Sequence, residues 1–214
     1  MKIIKTGKMH PGDKSGCPTK STDWTRLSDE QLWQYFTAGN KQAFEQVYYQ
    51  YVNTLYDYGV RLGNDTRLSE DCVQDLFSYL WVNRRKLPVV KAVRAYLFVA
   101  FKRRVYRKLN EQKKDIAKIY KTLEPQAYSF YPDLEDQAEN IEALKEAFGV
   151  LSERQREAIY LRFYNQLTYE EIAEVMEVQV KAVYKLMARA IQKLKKTMTH
   201  PIVTQFLLVI LATQ

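Results

Sequence analysis

Apolar residues recur three and four positions apart along most of the chain, and this spacing predicts amphipathic α-helices. Glycine is absent between Gly63 and Gly149, so that stretch lacks the flexible residue that weakens helix interiors. No segment alternates apolar and polar residues as a half-buried strand does. We therefore expect an all-α protein. The predicted helices lie near residues 28–38, 40–62, 69–86, 91–122, 137–149, 152–164, 168–176 and 179–199, with a short one beginning near 202.

Capping signals mark where several of these helices begin. Ser28 and Ser152 are each followed three residues later by glutamine, and Thr168 is followed three residues later by glutamate. In such a capping box the hydroxyl accepts a hydrogen bond from the third helical residue, whose own side chain reaches back. Ser69, with acidic residues directly after it, predicts a further helix start.

A change in composition at Leu123–Asp136 predicts a flexible linker between two small helical domains. This segment, LEPQAYSFYPDLED, contains two prolines and an acidic cluster and interrupts the helical periodicity. The expected divisions are a disordered N-terminal arm at 1–22, a first domain at 23–122, the linker at 123–136, a second domain at 137–199 and an apolar tail at 200–214.

Within the second domain, the residues between Leu167 and Ala190 predict a helix-turn-helix. A short first helix follows the Thr168 cap, and Glu177, Val178 and Gln179 fill the turn. The second helix carries a cation at every fourth position, and no acidic residue follows Gln179. Such a stripe suits a DNA backbone, and the alternative is an ordinary solvated face. The cations are Lys181, Lys185, Arg189 and Lys193.

The first domain contains a second basic segment. Residues 84–110 hold ten lysines and arginines and no acidic residue, interleaved with aromatic rings. Cations neutralise phosphates and exposed rings stack on unpaired bases, so the segment fits single-stranded DNA. The alternative is that the rings are core residues, and we expect this for most of them. The preceding helix has an apolar stripe and a partly acidic polar face, which suits either a protein partner or solvent.

Composition supports nucleic-acid binding and argues against enzyme classes. The 214 residues carry a net charge of +8 and a pI near 9.3, which favours a polyanionic partner. With only Cys17 and Cys72, a disulfide framework is not expected and a cytoplasmic location is favoured. Nucleotide-binding and zinc-protease motifs are absent, and His10 and His200 lie at opposite ends of the chain. We expect no enzymatic activity, metal or cofactor.

Three segments then stand out in order: SEDCVQDLFSYLWVNRRKL, KAVRAYLFVAFKRRVYRKL and LSERQREAIYLRFYNQLTYEEIAEVMEVQVKAVYKLMARAIQKLKK. Together they resemble the extracytoplasmic-function sigma factors of bacterial RNA polymerase, and among these the sigma factors of Bacteroidetes-type bacteria. The resemblance extends over residues 27–196. It implies two helical domains, termed domain 2 and domain 4, that bind core polymerase and promoter DNA and have no catalytic role.

The resemblance also implies roles for individual residues. Domain 2 docks on the β′ clamp helices through the helix at 69–86 and melts the -10 promoter element, whereas domain 4 reads the -35 element and packs on the β flap. The implied polymerase contacts are Asp71, Gln74, Asp75 and Ser78. The implied -10 contacts are Arg94, Tyr96, Phe98, Lys102, Arg103, Arg104, Tyr106 and Arg107. The implied -35 contacts are Gln179, Lys181, Tyr184, Lys185 and Arg189.

Two departures and two rival interpretations remain. Arg103 stands where many members of the family have asparagine. The reading helix of the family often shows a small or glycine residue and several arginines, whereas this chain has Lys181-Ala182 and then Tyr184, Lys185 and Leu186, so base preferences are open. One rival is a stand-alone helix-turn-helix regulator that binds duplex DNA by itself, and the other is a protein-interaction module. The apolar tail is too short to span a membrane. It would pack on domain 4, latch the domains or meet an anti-sigma factor.

Overall fold

The computed structural model describes residues 24–119 and 146–196. For Thr25 and for residues 113–119 it describes the backbone only. Both ranges are helical and contain no strand, which confirms the all-α prediction. The helices are α1 Asp29–Thr37, α2 Lys41–Gly63, α3 Thr66–Asn83, α4 Val93–Ile119, α5 Glu153–Ile159, α6 Tyr169–Met176 and α7 Val180–Lys196. Short turns of 3-10 helix lie at Trp24–Arg26 and Arg84–Lys86, a π-helical turn at Tyr160–Tyr164 continues α5, and residues 146–149 are also helical.

The three predicted capping boxes are confirmed, but the predicted start of α3 is wrong. In each box the hydroxyl of the capping residue accepts from the backbone N–H of the third helical residue, whose side chain accepts from the backbone N–H of the cap. The capping residues are Ser28, Ser152 and Thr168. Helix α3 begins three residues before Ser69, because the Asp65 side chain caps it by accepting a hydrogen bond from the following turn. Ser69 is instead buried inside α3 and donates its hydroxyl to the Tyr56 carbonyl, 2.7 Å away.

Helices α1 to α4 pack around a closely fitted core. The apolar faces of α2, α3 and α4 meet along their lengths, and α1 closes one side. The apolar stripe predicted on this helix is buried in α3, except that Trp81 is only partly covered. Fully buried side chains at this centre include Leu55, Leu76, Leu97 and Phe101.

Helices α5 to α7 form a smaller group that packs directly on the first. Helix α5 lies against α7, and α6 lies against both α7 and α4. Buried side chains of the two groups belong to one continuous apolar cluster. The basic helix α4 therefore has neighbours on both sides, which the division into two domains did not predict.

Several expectations concern residues outside the described ranges. They are the N-terminal arm, the linker at 123–136, most of the helix predicted at 137–149, the short helix near 202 and the apolar tail. Within residues 24–119 and 146–196, none of the helices is both long and apolar enough to cross a membrane.

Candidate nucleic-acid interface

Helices α6 and α7 form the predicted helix-turn-helix. The turn depends on Glu177, which adopts a left-handed backbone with φ of 53° and donates its N–H to the last turn of α6. Val178 adds a hydrogen bond of 3.0 Å from its N–H to the Ala173 carbonyl. Because both bonds close the end of α6, α7 leaves the turn in a defined direction.

Helix α7 separates its apolar and basic residues onto two faces. Val183, Met187 and Leu194 are buried against the rest of the group. The opposite face is open to solvent, and the Tyr184 ring on it lies 4.4 Å from the Tyr169 ring while remaining about half exposed. All five residues expected to contact the -35 element are exposed: Gln179, Lys181, Tyr184, Lys185 and Arg189. This face can therefore approach a DNA groove without rearrangement.

The polar face of α3 is also open. All four residues expected to contact polymerase, Asp71, Gln74, Asp75 and Ser78, are exposed. The sequence did not indicate that Lys108 of α4 pairs with this face, at 2.8 Å from Asp75 and 4.0 Å from Asp71. Burial alone would lower the pKa of Lys108, but the hydrogen bond to Asp75 raises it above its ordinary value. The acidic face is thus partly neutralised by a neighbouring helix.

The residues expected to contact the -10 element differ widely in exposure, and one of them is a core residue. Phe98 has no exposed surface and packs with its ring centroid 5.1 Å from that of Tyr58 in α2. Its assignment to the opened strand is wrong, because a ring locked between two helices cannot stack on a base. Phe98 lies on the core face of α4, beside the buried Leu97 and Phe101.

Tyr96 and Arg104 are half-buried and held by neighbours. The Tyr96 ring meets Trp33 edge-on at 5.2 Å, and burial raises the pKa of its hydroxyl. Arg104 donates to the Ala100 carbonyl and lies 4.7 Å over the Tyr79 ring, while burial lowers the pKa of its guanidinium. Only part of each of these two side chains is therefore accessible to solvent.

Lys102 is engaged by a carboxylate from the other group of helices. Its Nζ lies 2.7 Å from Oε1 of Glu157 in α5, and the two side chains are only 14% and 9% exposed. The same oxygen accepts a hydrogen bond of 2.6 Å from the Tyr58 hydroxyl. Burial, followed by the nearby Glu157 charge, raises the pKa of Tyr58 well above its ordinary value, so this hydroxyl stays protonated and donates.

Two further contacts join the same face of α4 to the second group. Arg103 binds Glu177 of the helix-turn-helix turn at 2.9 Å, and Arg94 donates to the Asn165 carbonyl at 3.1 Å. Tyr106 and Arg107 line the adjoining cleft, whose volume is 630 Å³. Three of the eight expected -10 contacts, Lys102, Arg103 and Arg94, are thus bonded to the second group of helices.

The sequence did not indicate that Tyr58 would bond to Glu157, or that Glu157 and Asn165 would bond to cations of α4. One signal was available for Glu157, which lies four residues before the buried Leu161 and so on the inner face of its helix. A carboxylate at such a position requires a partner. Among the residues that the structure describes, no group of three or more histidine, cysteine or carboxylate side chains is arranged to hold a metal ion.

Comparison with known proteins shows what this chain is similar to. Residues 141–194, which include α5, α6 and most of α7, match the family model for Sigma-70, region 4. Over 164 residues the chain is 26% identical to the ECF RNA polymerase sigma factor SigK of Mycobacterium tuberculosis, covering 74% of this chain and 87% of that protein. It is 22% identical to the ECF RNA polymerase sigma factor SigM of Bacillus subtilis over 153 residues, covering 72% and 93% of the two chains.

Solved structures show the same fold at low identity. CnrH in complex with the cytosolic domain of CnrY aligns with a TM-score of 0.53 and 22% identity, covering 78% of this chain and 95% of that one. The sigma factor RpoE of Bartonella quintana, in complex with the anti-sigma factor NepR, aligns with a TM-score of 0.56 and 20% identity, covering 74% and 98%. The region 4 match and the similarity to SigK and SigM together support an extracytoplasmic-function sigma factor.

Proposed function

We propose that this chain is a promoter-specificity subunit that binds core RNA polymerase, reads the -35 element through α7 and helps to melt the -10 element through α4. The observation that carries the proposal is the exposed basic face of α7 inside the region 4 match. A helix-turn-helix whose second helix is basic and uncovered is built to enter a major groove. The mechanism is binding, with no covalent chemistry by the protein.

At the -35 element, the proposed roles follow from side-chain type. Lys181 and Lys185 supply positive charge to phosphates, and Arg189 can bind either a phosphate or a guanine edge. Gln179, directly before α7, and Tyr184, near its start, are candidates for base edges or sugar contacts. Their exposure in the free protein supports these roles.

At the -10 element, the proposal is limited to the expected residues of α4 that are not fully buried. These are Arg94, Tyr96, Lys102, Arg103, Arg104, Tyr106 and Arg107, with Phe98 withdrawn to the core. Cations along one helix suit the backbone of the displaced strand, and the partly exposed Tyr106 ring suits an unstacked base. The base preference at Arg103 stays open.

The proposed protein partners are the polymerase and an anti-sigma factor. The exposed polar face of α3 suits the β′ clamp helices, and the helix-turn-helix unit would pack on the β flap. The structures of CnrH and RpoE are complexes with CnrY and the anti-sigma factor NepR, which makes an anti-sigma factor a reasonable partner here too. A cytoplasmic location follows from the polymerase, and the resemblance to Bacteroidetes-type members stays a prediction.

Run-off transcription tests this function directly. Bacterial core polymerase is assayed with and without the protein on DNA from upstream of its own gene, using wild type and Lys181→Glu/Lys185→Glu. We expect initiation to require the protein and to fall by about two orders of magnitude in the variant, because two phosphate contacts become repulsive. Lys41→Glu, a charge reversal on α2 at a side chain that is 78% exposed, serves as the control and should initiate normally.

The alternatives give different results. If core polymerase is not redirected and does not co-purify with the protein, the sigma-factor proposal fails. Tight binding of the free protein to a palindromic duplex would then indicate a stand-alone regulator. Absence of any salt-dependent DNA binding would indicate a protein-interaction module.

A further inference from the structure

An aromatic pair joins the two helices of the helix-turn-helix. The ring centroids of Tyr169, the first residue of α6, and Tyr184 in α7 lie 4.4 Å apart, with the ring planes tilted by 32°. Tyr169 is partly buried and packs against the apolar core, whereas Tyr184 is 52% exposed. We infer that Tyr169 holds the Tyr184 ring in place to read thymine in the -35 element, through an apolar contact with the 5-methyl group of the base.

Tyr169 is itself fixed by its neighbours. Thr168, directly before it, caps α6, and the capping box with Glu171 sets the backbone at the start of the helix. The guanidinium of Arg162 lies 5.3 Å from the centre of the Tyr169 ring and donates to the Leu167 carbonyl at 3.0 Å. The Tyr169 ring therefore has a defined position in the free protein, and the Tyr184 ring packs on a fixed support.

The surroundings of Tyr184 on α7 suit contact with a base edge. Ala188, one helical turn further on, is also exposed, so the two side chains form a short apolar strip on the solvent-facing side of the helix. Lys181 and Lys185, three positions before Tyr184 and one after it, are exposed as well and can bind phosphates. The apolar strip is then left for the floor of the major groove, where thymine is the base that presents a methyl group.

A ring that is held in place before DNA binds makes this contact more favourable. An unrestrained side chain loses rotamer freedom when it is immobilised at an interface, and that loss offsets much of what a single methyl contact contributes. Packing on Tyr169 already restricts Tyr184, so less freedom is lost on binding. This inference rests on the proposed function, because it assumes that α7 enters the major groove at the -35 element.

Uracil in place of thymine tests the contact, since the two bases differ only in the 5-methyl group. Run-off transcription with core polymerase and the wild-type protein locates the start site, and hence the -35 element, on the DNA from upstream of the gene. Two promoter duplexes are then compared, one with thymine and one with uracil at the thymines of that element. Fluorescence anisotropy measures the affinity of the reconstituted holoenzyme for each. We expect the thymine duplex to bind about fourfold more tightly, the factor that corresponds to burying one methyl-sized group.

Variants of the two tyrosines assign the effect to the aromatic pair. Tyr184→Phe keeps the ring and should keep the ratio of the two affinities, whereas Tyr184→Ala should bring the ratio close to one. Tyr169→Ala removes the support and should lower the ratio to below about twofold, and Tyr169→Phe should restore it. Tyr49→Ala, at a tyrosine of α2 that is 72% exposed, is the control and should leave the ratio unchanged. Each ratio compares two duplexes with one protein, so the fraction of protein that is folded cancels.

Uracil at one thymine at a time identifies the base that is read. One ring covers a small part of the groove, so we expect the loss of affinity to be confined to one thymine or to two neighbouring ones. A loss spread evenly over all thymines of the element would mean that uracil acts through the shape of the DNA, and it would contradict a contact with Tyr184.

Three further results would overturn the inference. Equal affinity of the wild-type holoenzyme for the two duplexes means that no methyl group is read. Loss of the ratio in Tyr184→Phe means that the hydroxyl, and not the ring, contacts the base, and an unchanged ratio in Tyr169→Ala means that Tyr169 does not position Tyr184. All three leave the proposed function standing, because that function fails only if transcription from the thymine promoter does not depend on the wild-type protein.

Discussion

At the residue scale, a few side chains have roles that their type alone does not reveal. Glutamate is usually a surface residue, yet Glu157 is buried between Tyr58 and Lys102. Phe98 follows a basic aromatic pattern that suits stacking on bases, yet it is a core ring. In both cases side chains of another helix bury the residue. A buried charge then needs a partner, and a buried ring is not accessible to a base.

Gly59 is a residue at which packing leaves no space for a side chain. A Cβ there would lie 2.2 Å from the Ser69 Oγ and 2.7 Å from the Phe101 Cζ. Ser69 is held by its hydrogen bond to Tyr56 and Phe101 is fully buried, so neither can move away freely. We expect Gly59→Ala to lower the free energy of unfolding by about 1–3 kcal/mol, measured by urea denaturation.

Gly149→Ala is the matched control for this substitution. A Cβ at Gly149 would have no atom within 4 Å, and alanine restricts the unfolded chain more than glycine does. The control should be unchanged or slightly more stable. Equal stability of the two variants would contradict the close approach of α2, α3 and α4.

At the element scale, caps predicted from short sequence patterns were reliable where both partners of a capping box were present. The boxes at Ser28, Ser152 and Thr168 have the predicted hydrogen bonds. The predicted start of α3 was wrong because Ser69, with Glu70 and Asp71 directly after it, resembles a capping sequence. Asp65 caps the helix instead, and it is not part of a capping box. A serine inside a helix can instead bond to another helix, as Ser69 does.

The two possible starts of α3 predict opposite results for two alanine substitutions. If Asp65 is the cap, Asp65→Ala should cost about 1 kcal/mol of unfolding free energy, because it orphans the Leu68 N–H. Glu70→Ala changes an exposed residue within the second turn and should be close to neutral. Urea denaturation of both variants measures the difference, and a larger loss in Glu70→Ala would favour a start at Ser69.

At the scale of the whole molecule, positive and negative side chains lie on different helices. Within the described residues, basic side chains are concentrated on α4 and α7, while α3 presents an acidic face. Lys102 and Arg103 of α4 meet carboxylates of α5 and of the helix-turn-helix turn, whereas the cations of α7 that face solvent have no such neighbours from the other group of helices among the ion pairs of the described residues. DNA binding by the free protein should therefore report mainly on α7.

This arrangement predicts the salt dependence of duplex binding. Each phosphate contact contributes about 0.9 to the slope of log affinity against log salt, so Lys181→Glu/Lys185→Glu should reduce the slope by about 2. Lys41→Glu/Arg67→Glu makes the same change in net charge on α2 and α3 and should alter the slope much less. Fluorescence anisotropy over a salt series measures both, and equal effects would mean that net charge, not α7, governs binding.

The sequence by itself determined the elements and their chemical character. Helical periodicity, capping residues and the absence of glycine from 64–148 are local properties, and they sufficed for the all-α class, the helix-turn-helix and the exposed faces of α3 and α7. The same local patterns also identified most core positions of α4, because one face of an amphipathic helix is buried whatever it packs on.

Only the tertiary structure decided what packs on the basic face of α4. Glu157 lies 55 residues after Lys102 and 99 after Tyr58, and Glu177 lies 74 after Arg103. Spacing within a helix contains no information about such partners, since they depend on how two groups of helices come together. The accessibility of the basic face of α4 is therefore a property of the packed molecule, because it is set by long-range contacts between charges that local sequence cannot pair.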